Sequence, residues 1–256
     1  MGRQYPRVIK HSPLITSTAE LRFTAALPVG VVFSMLYTQE RDRYPTVEQL
    51  PAASFPAEFL SADPNLALQA HYKLVPAAGG PAIQIGPRTI SVSGEPDAPH
   101  LDLAYINGEL RRLLSVFDGL GLVTSYDRLG LRYINFFEKR NVMEQSTFGL
   151  SLEGDNLIGN TAQLRVELPF PGFTAALSVA TNAQVAFGNP VVRVSPSDAK
   201  TGSVLDIDVY ADPLKLKDGN RPDQLIGMFR DAHDVAKKLF FKALTDDLIL
   251  ELGPED

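Results

Sequence analysis

The run Tyr126-Asp-Arg-Leu-Gly-Leu-Arg-Tyr-Ile-Asn-Phe-Phe-Glu138, near the middle of a 256-residue chain, constrains the fold more than any other stretch. Successive side chains of an extended strand point to opposite faces. Leu129, Leu131, Tyr133, Asn135 and Phe137 therefore share one side, and Arg128, Gly130, Arg132, Ile134 and Phe136 share the other. Both sides carry large apolar groups. A strand of that kind is covered on both faces over part of its length and lies centrally in a sheet.

Shorter elements are expected on either side of it. Residues 1 to 13, with two prolines and four basic side chains, read as an extended arm or edge segment. Glu20 to Thr24 alternates as a half-buried strand, and Pro28 suits the first turn of a helix running to about Arg43. That helix stops before Tyr44-Pro45, because the residue ahead of proline avoids helical geometry. Residues 45 to 66, rich in proline, read as a surface loop with at most one helical turn.

Strands follow at 71–75, 82–86 and 89–93, the last two forming a hairpin through Gly86-Pro-Arg88. Leu103, Ile106, Leu110, Leu113, Leu114 and Phe117 recur at helical spacing between Asp102 and Asp118, and Gly119 and Gly121 stop that helix. Beyond the central strand, alternation predicts strands at 148–152, 162–170, 173–180, 191–195 and 203–211, with a turn at Pro169 to Gly172. The spacing of Leu225, Met228, Phe229, Ala232, Val235, Ala236, Leu239, Phe240 and Ala243 predicts a long helix from Pro222 to Leu244. Leu248, Leu250 and Leu252 read as a closing strand.

Each half thus ends in the same phrase of hairpin strands, amphipathic helix and last strand. The expected fold is α+β: two related lobes forming a broad, mostly antiparallel sheet, with long amphipathic helices packed on one face. The lobes would be residues 1–140 and 141–256. One continuous domain is the alternative, since the join near Asn141 to Ser146 has no proline or glycine.

Composition excludes several function classes. Without cysteine there is no disulfide, thiolate metal site or cysteine nucleophile. The N-terminal residues are polar and lack the apolar core of a signal peptide, and the apolar run from Ala25 to Phe33 is too short to span a bilayer. A cytoplasmic, non-membrane protein is expected. A net charge of −6 argues against a generic nucleic-acid binder, which needs basic groups to displace counterions from phosphate.

Pro13-Leu-Ile, Glu20-Leu-Arg-Phe, Tyr44-Pro45, Arg128-Leu-Gly-Leu-Arg-Tyr-Ile-Asn135 and the ending Ala232-His-Asp through Phe241 and Leu244-Thr-Asp246 form a recognisable set. In these the chain resembles a sporadically distributed, uncharacterised bacterial protein family of similar length, over nearly all its residues. The resemblance implies a bacterial protein of mobile or accessory genomic regions. It brings no catalytic residues.

The familiar catalytic signatures are missing. There is no Gly-x-Ser-x-Gly elbow, no phosphate loop ending in Gly-Lys-Ser/Thr and no dinucleotide fingerprint, and Gly119-Leu-Gly121 serves as a helix stop. His11, His71, His100 and His233 are dispersed, and Asp231, His233 and Asp234 lie off the apolar stripe of their helix, as a solvated face requires. Glu167, Asp206 and Asp208 project from the side opposite Leu164/Val166/Leu168 and Leu205/Ile207/Val209. Paired carboxylates of this kind can bind Mg²⁺ or act as acid and base, and they are equally what a wet sheet face carries. Arg128 and Arg132, with Gly130 between them, can grip a phosphate or a carboxylate, or simply pair with Glu167 or Asp208 across strands.

No catalytic residue, metal or cofactor is assigned. The first reading is a non-enzymatic binding or regulatory protein, a component of a bacterial accessory system such as toxin neutralisation or phage defence. Its partner would be another protein or a second copy, met through Arg128, Arg132, Asp206, Asp208 and Glu167. The alternatives are a metal-dependent phosphoester or nucleotide enzyme built on the same carboxylates, and a carrier enclosing a small apolar ligand.

Overall fold

The computed structural model describes residues 5–6, 8–56, 59, 63, 65–77, 79–94, 103–147, 151–153, 155–156, 161–185, 200–217 and 219–255. The strands are β1 (Val8–Ile9), β2 (Leu14–Ala25), β3 (Thr46–Gln49), β4 (Tyr72–Val75), β5 (Ala82–Ile85), β6 (Thr89–Gly94) and β7 (Val123–Glu138). They continue with β8 (Ser151–Leu152), β9 (Asp155–Asn156), β10 (Gln163–Phe170), β11 (Phe173–Val185), β12 (Lys200–Ala211) and β13 (Pro254–Glu255). The helices are α1 (Val29–Glu40), α2 (Leu103–Gly119), α3 (Arg221–Ala243) and α4 (Asp246–Glu251). Nine strands hydrogen-bond in the order β10-β11-β12-β7-β2-β6-β5-β4-β3, so the fold is α+β with a large antiparallel sheet.

The chain divides into two compact units. The first comprises Ser17–Leu131 and Tyr210–His233, the second Met1–Thr16, Arg132–Val209 and Asp234–Asp256.

In the first unit, strict alternation in β2 buries Ser17, Ala19, Leu21 and Phe23 and leaves Thr18, Glu20 and Arg22 on the other face. Register carries this pattern sideways. Leu21 is paired with Ile90, Ile90 with Ile85 and Ile85 with Tyr72, giving one apolar row across four strands. Tyr72 stacks on Phe33 of α1 at 4.0 Å, and Phe23 meets Phe117 of α2 edge to face at 5.5 Å. Both helices therefore pack on the same face of this part of the sheet. In α2, Leu110, Leu113, Leu114 and Phe117 are all about 1% exposed; the side chains of Leu103 and Ile106 lie outside the described residues.

In the second unit, β10 and β11 form a hairpin closed at Pro171-Gly172, with Phe170 opposite Phe173. Leu205, Ile207 and Val209 of β12 are buried, with Asp206 and Asp208 on the opposite side. At Gly202 the neighbouring strand approaches so closely that a β-carbon would lie 2.2 Å from the Phe137 carbonyl oxygen. Only glycine fits there. The Ser203 hydroxyl donates to the Arg140 carbonyl (2.6 Å) and accepts from the Val142 amide (3.0 Å), fixing the chain as it leaves β7.

Two expectations need correction. Leu248 to Leu252 is not a strand: Asp246–Glu251 is helical, with the Thr245 hydroxyl accepting from the Leu248 amide as an N-cap. Leu248 and Ile249 are buried side by side while Leu250 is 68% exposed, a burial pattern that two-residue alternation cannot give. The loop at 45–66 contains β3, which pairs antiparallel with β4. The N-terminal segment behaves as the edge segment expected of it, Val8 and Ile9 pairing with Glu255 and Pro254. The strands expected at 148–152 and 191–195 fall wholly or partly outside the described residues, with Ser151–Leu152 described as β8.

Candidate interaction site

On the face of the first unit away from α1 and α2 runs a lateral row of polar side chains. Glu48 is paired with Lys73, Lys73 with Gln84, Gln84 with Ser91 and Ser91 with Glu20. One residue along the strands, the corresponding row (Leu74, Ile83, Val92 and Ala19) is apolar and buried in β4, β5, β6 and β2, with Val47 of β3 exposed at its end. This is the alternation rule extended from a single strand to four.

Arg128 completes the row from β7. Its Nη1 donates to Glu20 Oε1 at 2.9 Å, and its guanidinium lies 4.5 Å from the centre of the Tyr210 ring. Arg22 Nε donates to the same Glu20 oxygen at 2.9 Å, so one carboxylate holds two cations. Gly130 makes room for this arrangement: a β-carbon there would stand 2.7 Å from Arg128 Nη1. Arg128 is 9% exposed, and a cation so placed needs its carboxylate and the ring face to offset lost hydration.

The second unit holds Arg132, Asp206, Asp208 and Glu167. Arg132 grips Asp206 bidentately, Nε to Oδ1 at 2.9 Å and Nη2 to Oδ2 at 2.6 Å. The Arg132 side chain is 51% exposed and that of Asp206 17%, so the carboxylate anchors a guanidinium that still faces solvent. Asp208 is half-buried on the same side of β12. Glu167 stands on β10 and accepts from Arg165 of its own strand at 3.1 Å. With β11 between β10 and β12, Glu167 is two strand spacings from the Asp206 strand, about 10 Å. The structure thus joins Arg132 to Asp206 and Arg128 to Glu20, and it leaves Glu167 with Arg165.

Three polar clusters carry no signature in the sequence. Between α1 and α2, Glu109 accepts from Tyr44 Oη at 3.0 Å and is bonded to Arg43 and Arg112, while Arg112 also meets Glu40. Burial alone would lower the Arg112 pKa, but Glu109 and Glu40 hold it above its ordinary value. Asp118 receives Arg221 (Nη2 at 2.9 Å) and the Tyr126 hydroxyl (3.0 Å), tying the end of α2 to the start of α3. Burial first, then the Asp118 charge, raises the Tyr126 pKa, so that phenol stays protonated. The third cluster lines an open cleft of about 400 Å³ in the second unit, formed in part by Lys139, Arg140, Asn182 and Gly202. Lys139 and Asn182 have left-handed backbone, φ 55° and 53°. Proximity of residues far apart in sequence creates each cluster, and a motif search sees none of them.

Among the described residues no group of three or more His, Asp or Glu is placed to hold a metal ion. Asp231 and Asp234 are exposed on α3, with His233 half-buried between them. No described helix is long and apolar enough to cross a membrane. No protein-family model matches the chain, and no curated protein matches it significantly.

Proposed function

We propose that the chain is a non-enzymatic binding protein, a regulatory component of a bacterial accessory system, that meets a protein partner through ionic side chains of its sheet. The observation that supports this most directly is Arg132, half exposed yet fixed at two points by Asp206. A guanidinium held by a bidentate carboxylate is oriented before a partner arrives, so little rotamer entropy is lost when it meets an acidic or carbonyl group. Asp208 extends the polar surface along its own strand, with Glu167 on the edge strand. The hairpin β5–β6 ahead of α2 and the hairpin β10–β11 ahead of α3 support the further reading of two related lobes, 1–140 and 141–256, with amphipathic helices on one sheet face.

Affinity capture of the tagged chain from its host tests this reading, with Arg132→Glu and Asp208→Arg as comparison variants. A partner retained by the wild-type chain and lost with either variant is the expected result. Calorimetry with Mg²⁺ and Mn²⁺ gives the counter-test: heat of binding abolished by Asp206→Asn would favour a metal-dependent enzyme.

A further inference from the structure

The free side of β10 carries a self-complementary pattern. β10 is the end strand of the nine, and among the described residues only β11 pairs with it. Phe170 faces Phe173 across a two-residue turn, and at the other end the Thr181 amide donates to the Ala162 carbonyl at 2.9 Å. The even-numbered residues from 162 to 170 therefore bond towards β11. The backbone groups of Gln163, Arg165, Glu167 and Pro169 point outward.

The centre of this edge reads Leu164-Arg165-Val166-Glu167-Leu168: apolar, cationic, apolar, anionic, apolar. Arg165 and Glu167 are more than half exposed, and Val166 is 36% exposed.

We propose that β10 pairs antiparallel with β10 of a second copy of this chain, with Val166 opposite Val166 across a two-fold axis. In that register Arg165 of each copy faces Glu167 of the other, and Leu164 faces Leu168. Arg165 and Glu167 are also the residues with outward backbone groups, so each ion pair coincides with a hydrogen-bonded pair of the new ladder. The charges select the register. Sliding by two residues one way sets Arg165 against Arg165; sliding the other way sets Glu167 against Glu167, and like charges directly opposite are destabilising.

Charged residues on an edge ordinarily discourage strand addition, because any incoming strand must desolvate them. Opposite signs two residues apart reverse that effect for one partner only, an antiparallel copy of the same strand. Pro169, which has no amide hydrogen, falls opposite Gln163 of the other copy at each end of the ladder and keeps it short. The pairing is isologous and closed, as a two-fold dimer requires. The Arg165–Glu167 contact within each strand (3.1 Å) is exchanged for two such contacts between strands.

Sedimentation equilibrium of the chain over a concentration series tests the proposal. The wild-type chain should reach twice its 27.9 kDa mass. Arg165→Glu alone and Glu167→Arg alone each create two like-charge oppositions, and each should raise the dimer dissociation constant about tenfold or more. An equimolar mixture of the two variants restores every opposite-sign pair and should recover the dimer. Both substitutions lie on an exposed edge, and circular dichroism checks that the fold is retained. A wild-type chain that stays monomeric at hundreds of micromolar, a dimer indifferent to both reversals, or a mixture that stays monomeric would overturn the proposal.

Discussion

The Arg128 guanidinium folds back over Gly130, two residues along its own strand, and occupies the space a side chain there would fill. The pair is one device: the glycine creates the slot, and the slot aims the cation at Glu20 and the Tyr210 ring.

Gly130→Ala should therefore act through Arg128. The added methyl displaces the guanidinium from Glu20 and costs about 1.5–3 kcal/mol, the scale of a hydrogen bond to a charged group. In an Arg128→Ala background the same substitution should be neutral or stabilising, because alanine loses less backbone entropy than glycine. Urea unfolding of the four proteins in the cycle measures the difference. Equal costs in both backgrounds would show that the methyl meets something other than Arg128.

Glu109 should be the most sensitive acidic residue among the described helices. Its side chain is 7% exposed and neutralises Arg43 and Arg112 while accepting from Tyr44. Glu109→Ala leaves Arg112 beside Glu40 alone and should cost about 3–5 kcal/mol. Arg43→Ala removes a cation that is 55% exposed, and its cost should stay under about 1 kcal/mol. Chemical denaturation of both variants tests the ordering.

His71 is 4% exposed, its Nε2 has no hydrogen-bond partner among the described residues, and burial lowers its pKa. The native state therefore prefers neutral imidazole, while the unfolded chain takes up a proton near pH 6.5. Above that value both states are neutral and His71 adds no pH dependence. As the pH falls through 6.5 towards the lower native pKa, the unfolded state binds the proton first and stability declines. A His71→Leu variant should lose this component of the pH dependence, which denaturation midpoints at pH 7 and pH 5 would reveal.

Thr245→Ala should cost about 1 kcal/mol, because the threonine hydroxyl caps α4. Thr245→Asp retains an acceptor for the Leu248 amide and should recover most of that loss.

The sequence made some of this architecture legible, and the reason is local. β7, β12, the β5–β6 and β10–β11 hairpins and the long helix α3 each declare themselves through a period of two or 3.6 residues. Alternation also put Asp206 and Asp208 opposite Leu205, Ile207 and Val209, and burial follows that pattern. What stayed hidden depends on strand neighbours. That Glu20 is the partner of Arg128, or that Glu109 gathers Arg43 and Tyr44, follows from contacts between residues 65 or more apart in the chain. Two short elements were misread for a different reason. The leucines at 248, 250 and 252 alternate by coincidence, and the helix there is announced only by Thr245 and the acidic pair after it. β3 offers just four residues, Thr46–Gln49, too few for a period to emerge.

In the proposed function Arg132, set in place by Asp206, is where this chain meets a protein partner. Affinity capture with quantitative mass spectrometry, wild type against Arg132→Glu, addresses it most directly, with unfolding midpoints confirming that both chains are equally folded. The account predicts one or more host proteins enriched by the wild-type chain and depleted at least tenfold with the variant, a factor equivalent to about 1.4 kcal/mol. An identical set of captured proteins from two equally stable chains would contradict it.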